Sequence, residues 1–317
     1  MIKGEYIFYQ DGVEIYRSPN LITKFGKRFI TMYLAGNVSF ANKDLAIGIA
    51  DGTDFALADT NARLGFEFYR LPVSFGSTDI STSGGSTTYS VVYKATVPQD
   101  VSGIIKEIGL YPGTKTSVNN YDSRYLSDFE NNREWYDSSN NNPVAVTSPT
   151  PRIGNTMVEH KFNEGDTTST TKEFKYNIGN FDMSGYSVND NLALAYNRLD
   201  TNSSQIRIKF YSSTSDFFYG DITPSGTGNK ISTISMSNVF SNQSGTPDSS
   251  SISQIGVQIT RSSTASNATV YLDGLRINDQ DTFDPTFGLI SRSILASSIT
   301  KVAGRPIDIE YKITLGF

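Results

Sequence analysis

Few residues in this sequence are equipped for catalysis. With no cysteine among 317 residues, disulfides, thiolate nucleophiles and sulfur-ligated zinc or iron sites are excluded. The one histidine, His160, would have to serve any Ser-His-Asp triad or His-rich metal site alone. It lies in Met157-Val-Glu-His-Lys-Phe162, an alternating segment that reads as a strand, and the plain expectation is a surface or edge-strand residue. Carboxylates are plentiful, but no pair is singled out as spaced to cleave a glycosidic bond. Asp128, Glu130, Glu134, Asp216 and Asp221 read as solvated loop charges. No Gly-rich phosphate loop, nucleophile elbow or metal-spaced acidic cluster occurs.

Binding chemistry has better candidates. Sugar recognition by a β protein needs flat aromatic faces, because pyranose rings stack on them while nearby Asn, Asp or Arg bind the hydroxyls. Phe217, Phe218 and Tyr219 sit between Asp216 and Asp221 in what reads as a loop. Trp135 and Tyr136 sit in a polar stretch beside Arg133 and Glu134. Either cluster is a candidate carbohydrate-binding site; the alternative is that these rings cap a sandwich or anchor a connector.

The elements that must position these residues are strands. Aromatics make up 12% and charged residues only 19% of the chain, with Ser, Thr, Asn and Gly between short apolar runs, a composition of turn-rich β proteins. Lys and Arg number 27 against 32 Asp and Glu, for a net charge of -5. No basic stripe is present, so nucleic acid is not an expected partner. The charged start Met1-Ile-Lys-Gly-Glu-Tyr lacks the apolar region of a signal peptide, no apolar run is long enough to span a bilayer, and synthesis in the cytoplasm without membrane insertion is the expectation.

Asp11-Gly12 between two aromatic and β-branched runs predicts an opening type I′ hairpin. Phe25, Phe29, Ile30, Tyr33 and Leu34 have helical spacing, with Asn20 or Thr23 as cap and Gly36 as stop, so one short helix is expected. Strands follow at Leu45–Ala50, Leu64–Val73, Tyr89–Val97 and Ile104–Leu110, and Pro112-Gly113 ends the run. Residues 114–156, rich in Asn, Ser and Asp, read as a polar connector or elaborated loop. A second series of strands, from Met157 to Ile277, suggests a sandwich or jelly roll. Finally Ile307, Ile309, Tyr311, Ile313, Leu315 and Phe317 alternate with polar residues in a strict period of two, and such a strand must join an existing sheet.

Leu45-Ala-Ile-Gly-Ile-Ala-Asp-Gly52, Leu64-Gly-Phe-Glu-Phe-Tyr-Arg-Leu-Pro-Val73 and Gly103-Ile-Ile-Lys-Glu-Ile-Gly-Leu110, in that order, resemble bacteriophage tail-fibre and tail-collar attachment proteins. The resemblance places the pattern's continuation in Leu289-Ile-Ser-Arg-Ser-Ile294, Lys301 and Pro306–Phe317, after the whole second series of strands. It therefore implies an all-β protein with a discontinuous β-sandwich domain, residues 1–113 plus 284–317, interrupted by an inserted jelly roll at 157–283. Glu67, Arg70, Glu107 and Arg292 recur on the pattern's strands, where an ion pair would fix register or subunit contacts. The insert has its own resemblance: Asn191–Asn197, Gln205–Tyr211 and Val270-Tyr-Leu-Asp-Gly-Leu-Arg-Ile277 are similar to strands of jelly-roll carbohydrate-binding modules. In that family an aspartate of the last strand often helps hold a structural calcium, which carries over onto Asp273; the alternative is an Asp-Gly that stabilises a turn.

These resemblances imply a non-enzymatic structural component of the virion. The expected role is a tail, baseplate or fibre adaptor that contacts other virion proteins, forms a homo-oligomer of threefold or sixfold arrangement, and touches host-surface polysaccharide through the insert. The alternatives are a polysaccharide depolymerase of the tail and a head or capsid decoration protein.

Overall fold

The computed structural model describes residues 2–37, 43–83, 85–112, 123–162, 169–188, 190–264, 266–278 and 288–316. The chain divides into two compact units, the first made of residues 1–118 and 281–317 and the second of residues 119–280. Each has two antiparallel sheets and its own apolar core, so the protein is all-β, with two short α-helices among the described residues. The stop at Pro112-Gly113 and the boundary at 284 reach residues outside those described.

In the first unit, β1 (Ile2–Gln10), β2 (Val13–Pro19), β3 (Leu21–Ile22), α1 (Lys24–Leu34), β4 (Asp44–Gly48), β5 (Glu67–Pro72), β6 (Ser74–Ser83), β7 (Ser86–Val97) and β8 (Gly103–Tyr111) precede the second unit. The second unit holds β9 (Ser123–Ser127), β10 (Trp135–Tyr136), β11 (Val144–Val146), β12 (Met157–Phe162), β13 (Thr171–Phe181), β14 (Asn191–Arg198), β15 (Ser203–Tyr211), β16 (Phe217–Ile222), β17 (Gly228–Ser235), α2 (Met236–Ser241), β18 (Gln243–Ser244), β19 (Ile252–Arg261) and β20 (Ala268–Asn278). The chain then returns to the first unit with β21 (Ser291–Lys301) and β22 (Ile307–Gly316).

The first unit is closed by these returning strands. One sheet runs β2-β1-β22-β7-β6 and the other β3-β21-β8-β4-β5. The alternating strand β22 sits between β1 and β7, which buries Ile307, Ile309 and Tyr311 completely. Strand β21 pairs with β8, Ser291 opposite Leu110 and Ile294 opposite Glu107. The β1–β2 turn places both Asp11 (φ 52°) and Gly12 (φ 77°) in the left-handed region, as a type I′ turn requires. Thr23, not Asn20, caps α1 by accepting the Gly26 N–H at 2.9 Å. Gly26 is needed there because a Cβ would lie 2.0 Å from the Ile290 carbonyl oxygen.

The same unit buries an ion pair. Arg292 Nη2 lies 2.7 Å from Glu107 Oε2, with both side chains fully buried. Glu107 also accepts the N–H groups of Gly65 and Phe66 at 3.0 and 2.8 Å, and Arg292 donates to the Ala56 carbonyl and Asn61 Oδ1. One pair thus ties β8, β21 and the loop before β5 together. Glu67 and Arg70 form a second, shallower pair at 2.7 Å, with the guanidinium 4.3 Å from the Tyr111 ring centroid.

The second unit has sheets β10-β13-β19-β15-β16-β18 and β11-β12-β20-β14-β17, with β9 also on β20. The stretch read as a connector is therefore part of this sandwich from residue 123 onward: β9, β10 and β11 all pair with its strands, and Leu126, Phe129 and Trp135 enter its core. Residues 114–122 lie outside those described. Two elements had no sequence signal strong enough to find. Strand β6 is mostly Ser and Thr at an exposed sheet edge, and α2 follows a strand directly through a Ser235 cap.

Candidate functional site

The solvent side of the six-stranded sheet is built by period-two alternation on strands far apart in sequence. In β13, Phe174 points to the core, so Glu173, Lys175 and Asn177 point out. The pairing then fixes three rows across the sheet. Tyr136, Lys175, Gly256, Lys209 and Tyr219 lie opposite one another in sequence of strands; Asn177, Gln254, Tyr211 and Phe217 form the next row; Glu173, Gln258, Arg207 and Asp221 the third.

These side chains are tied into a network. Tyr136 OH donates to Asn177 Oδ1 at 2.8 Å, and Gln254 Nε2 donates to both the Tyr136 oxygen and Asn177 Oδ1 at 2.9 and 2.8 Å. Glu173 accepts from Tyr211 OH at 2.7 Å and Lys209 Nζ at 3.1 Å. Burial, and then the hydrogen bond to Glu173, hold the Tyr211 phenol far above its ordinary pKa, so it stays a donor. Lys175 Nζ sits 4.0 Å from the Tyr211 ring centroid, and Arg207 lies 4.0 Å from the Tyr219 ring while gripping Asp221 through two bonds of 2.7 and 2.8 Å. A groove of about 700 Å³ runs along Tyr136, Lys175, Gln254 and Gln258, within the roughly 300–1,000 Å³ of small-molecule sites.

Gly256 makes room for the centre of the network, since a Cβ there would meet Glu173 Oε1 at 2.1 Å and the Tyr211 ring at 3.0 Å. Replacing Gly256 by Ala is expected to push the carboxylate off Tyr211 and cost about 1–3 kcal/mol, read as a lower urea midpoint. An unchanged midpoint would mean that the carboxylate has another resting place.

The aromatic candidates separate by parity. Tyr136, Phe217 and Tyr219 lie on this outer face. Trp135 and Phe218 do not: they are 1% and 7% exposed and belong to the core, Trp135 stacked between Phe129 and Tyr176. Adjacent residues of a strand point to opposite faces, so Trp135-Tyr136 offers one ring to this face and Phe217-Phe218-Tyr219 offers its first and third. The segment from Phe217 is itself strand β16 rather than a loop. The outward residues of β13, β15 and β19 were missed, although Glu173-x-Lys175-x-Asn177 and Gln254-x-Gly256-x-Gln258 carry a readable signal: polar residues at every second position of apolar strands.

His160 is neither at the surface nor on an edge. β12 lies between β11 and β20, and its inward set is Val158, His160 and Phe162. The imidazole is fully buried, 4.8 Å from the Phe174 ring centroid in an edge-on arrangement, with the Val257 and Lys172 backbone as its nearest polar neighbours. Burial pushes its pKa down to about 3. It is a neutral residue of the core.

Asp273 occupies a bulge. Opposite β14 the register passes from Gly274 to Leu272, leaving Asp273 as the extra residue, and on the other side β20 changes partner there from β12 to β9. The carboxylate is 1% exposed, accepts the N–H groups of Arg152 and Ile153 at 2.9 and 3.3 Å, and is pushed up to about 7 by burial. Glu130 is its acidic neighbour. Far from being a solvated loop charge, Glu130 accepts the N–H groups of Asn155 and Thr156, both at 2.8 Å, and its pKa is also raised by burial. Calcium takes six to eight oxygen ligands. Among the described residues no group of three or more acidic or histidine side chains converges, so Asp273 and Glu130 would be its only acidic ligands here, and both already accept amide protons.

No protein-family model matches the chain, and no curated protein matches it. Similar solved structures include a family 30 carbohydrate-binding module of a cellulosomal cellulase of Clostridium thermocellum, 12% identical over 50% of this chain and 98% of that one, with a TM-score of 0.38. A family 11 carbohydrate-binding module from Clostridium thermocellum, solved with a mixed-linked β-1,3-1,4 tetrasaccharide, is 17% identical over 50% of this chain and 95% of that one, with a TM-score of 0.36. An agarase is 15% identical over 52% of this chain, with a TM-score of 0.37, and the match spans only 25% of the agarase.

Proposed function

We propose that this chain is a non-enzymatic structural protein of a bacteriophage virion, a tail-associated adaptor whose second unit binds host-surface glycan on the outer face of its six-stranded sheet. The observation that carries the binding half is that face: a groove of about 700 Å³ is lined by Tyr136, Lys175, Gln254 and Gln258, and the Phe217 and Tyr219 rings stand on the same face of the sheet. Planar amides and carboxylates bind sugar hydroxyls, and rings meet the apolar sugar face. The attachment half rests on the tail-protein pattern, whose Glu107 and Arg292 meet in the buried pair that joins the returning strand β21 to β8. It is supported further by a cross-strand row at the end of the first sheet, Ile2, Leu315, Tyr89 and Ile80, whose side chains are 38–66% exposed, since contiguous exposed apolar surface marks contact with other proteins.

Binding of the full chain to host capsular polysaccharide, measured with reducing-sugar release in the same samples, tests the first half. Retained polymer without new reducing ends is expected, and Gln254→Ala should weaken binding about tenfold, the size of one lost hydrogen bond and its disturbed neighbours. Release of reducing ends would replace binding with depolymerisation. Gold labelling of intact particles tests the second half: label on the tail is expected, and label on the capsid would make the protein a head decoration.

A further inference from the structure

The charges on the outer face do not balance, and the excess falls at one place. Among the described residues of the three rows, Lys175, Lys209 and Arg207 face Glu173 and Asp221, three cations against two anions. Each carboxylate is already committed: Asp221 to Arg207 through two hydrogen bonds, Glu173 to Lys209 and Tyr211. Asp137, at the rim of the groove, is held below the ordinary aspartate range by hydrogen bonds from the Ser139 and Asn141 backbone. Lys172 lies at the same rim, where its charge acts on Asp137 and its Nζ donates to the Lys161 carbonyl. Among the described residues Lys175 has no carboxylate within ion-pair distance. Its ammonium is held over the Tyr211 ring, in the row between Tyr136 and Gly256, so it is fixed in position while its charge remains available.

Beside it lies a prepared set of hydroxyl ligands. The bonds joining Tyr136, Asn177 and Gln254 use the Gln254 amide nitrogen and the Asn177 amide oxygen. That leaves Gln254 Oε1 as an acceptor and Asn177 Nδ2 as a donor, one row from Lys175. A fixed cation next to a donor and acceptor pair matches a sugar ring that carries one carboxylate and adjacent hydroxyls. The protein as a whole has a net charge of -5, so a polyanion would gain nothing from the general field and must be recognised locally.

We propose that this groove selects polysaccharides bearing carboxylate groups, with Lys175 taking the sugar carboxylate and the Tyr136–Asn177–Gln254 cluster the neighbouring hydroxyls. The inference rests on the glycan-binding reading above and narrows it to acidic polymers. Its test is binding of the full chain, in 0.05 and 0.3 M salt, to polygalacturonate, alginate and hyaluronate, each beside its carboxyl-reduced neutral form. At least one acidic polymer should bind, with tenfold or greater loss on carboxyl reduction, a similar loss in Lys175→Gln, and weakening at the higher salt. Lys27→Gln, an exposed lysine of the first unit paired with Asp59, should bind like the parent, which separates local recognition from general attraction. Fluorescence of Trp135 confirms that the second unit of each variant is folded. Equal binding to the reduced polymers, or undiminished binding by Lys175→Gln, would overturn the carboxylate selectivity while leaving glycan binding in place. Binding to none of the acidic or neutral polymers would remove both.

Discussion

Arg292→Met is expected to destabilise the first unit by about 3–5 kcal/mol, the cost of stranding one partner of a buried ion pair. Glu107 would keep only the Gly65 and Phe66 amides as donors in a site with no solvent access. Glu107→Gln should cost a similar amount, because only one of its two amide positions accepts: its NH2 would face either the Phe66 N–H or the Gly65 and Arg292 donors, and the guanidinium is left without its counter-charge. The sequence supplies a convenient separation of signals: the only tryptophan, Trp135, lies in the core of the second unit. Urea unfolding followed by tryptophan fluorescence reports that unit, while far-UV circular dichroism sees both. In Arg292→Met the dichroism transition should split, its early phase moving to lower urea while the fluorescence transition stays in place. A shift of less than about 0.5 kcal/mol, the size of an ordinary surface substitution, would show that the pair is dispensable.

The second large effect concerns pH, and its sign differs between two residues of one core. Asp273 is raised from 3.8 to about 7 in the folded protein, so its contribution to stability is fully present below pH 4 and is lost as pH rises through 7. His160 is lowered from 6.5 to about 3, so its contribution is fully present above pH 6.5 and is lost as pH falls toward 3. Each shift corresponds to on the order of 4 kcal/mol, and between pH 4 and 6.5 the two slopes oppose. The parent protein should therefore show a fluorescence-detected urea midpoint that is nearly flat in this window. Asp273→Asn should expose the histidine slope, with stability falling on acidification. His160→Phe should expose the aspartate slope, with stability rising on acidification. Parallel curves for all three proteins in calcium-free buffer would refute the assignment. Calcium that raises the midpoint of the parent but not of Asp273→Asn would instead make Asp273 and Glu130 a metal site.

The sequence revealed the fold where one physical signal dominated. Period-two alternation from Ile307 required a host sheet, and β22 has one between β1 and β7. Asp11-Gly12 required left-handed backbone, and Thr23 had the oxygen a helix start needs. The Asn-rich stretch before Met157 misled because short strands such as β10 and β11 are held by their neighbours and not by their own composition. His160 misled in another way: a polar type outweighed the phase it shares with Val158 and Phe162. The site was legible only in fragments, since Tyr136, Lys175, Gln254 and Tyr211 become neighbours through register between strands separated by dozens of residues. Nothing local in the sequence specifies that register.

The placement of β22 also sets an order of events during synthesis. The sheet of the first unit cannot close until β22 slides between β1 and β7, yet all strands of the second unit leave the ribosome before β21 and β22 do. The second unit can thus complete its sandwich while β1 through β8 wait with an open slot, their apolar faces unpaired. A released chain ending at residue 280 should already protect Trp135 from protease while its first hundred residues are still digested. Adding residues 288–316 should close the slot and protect both.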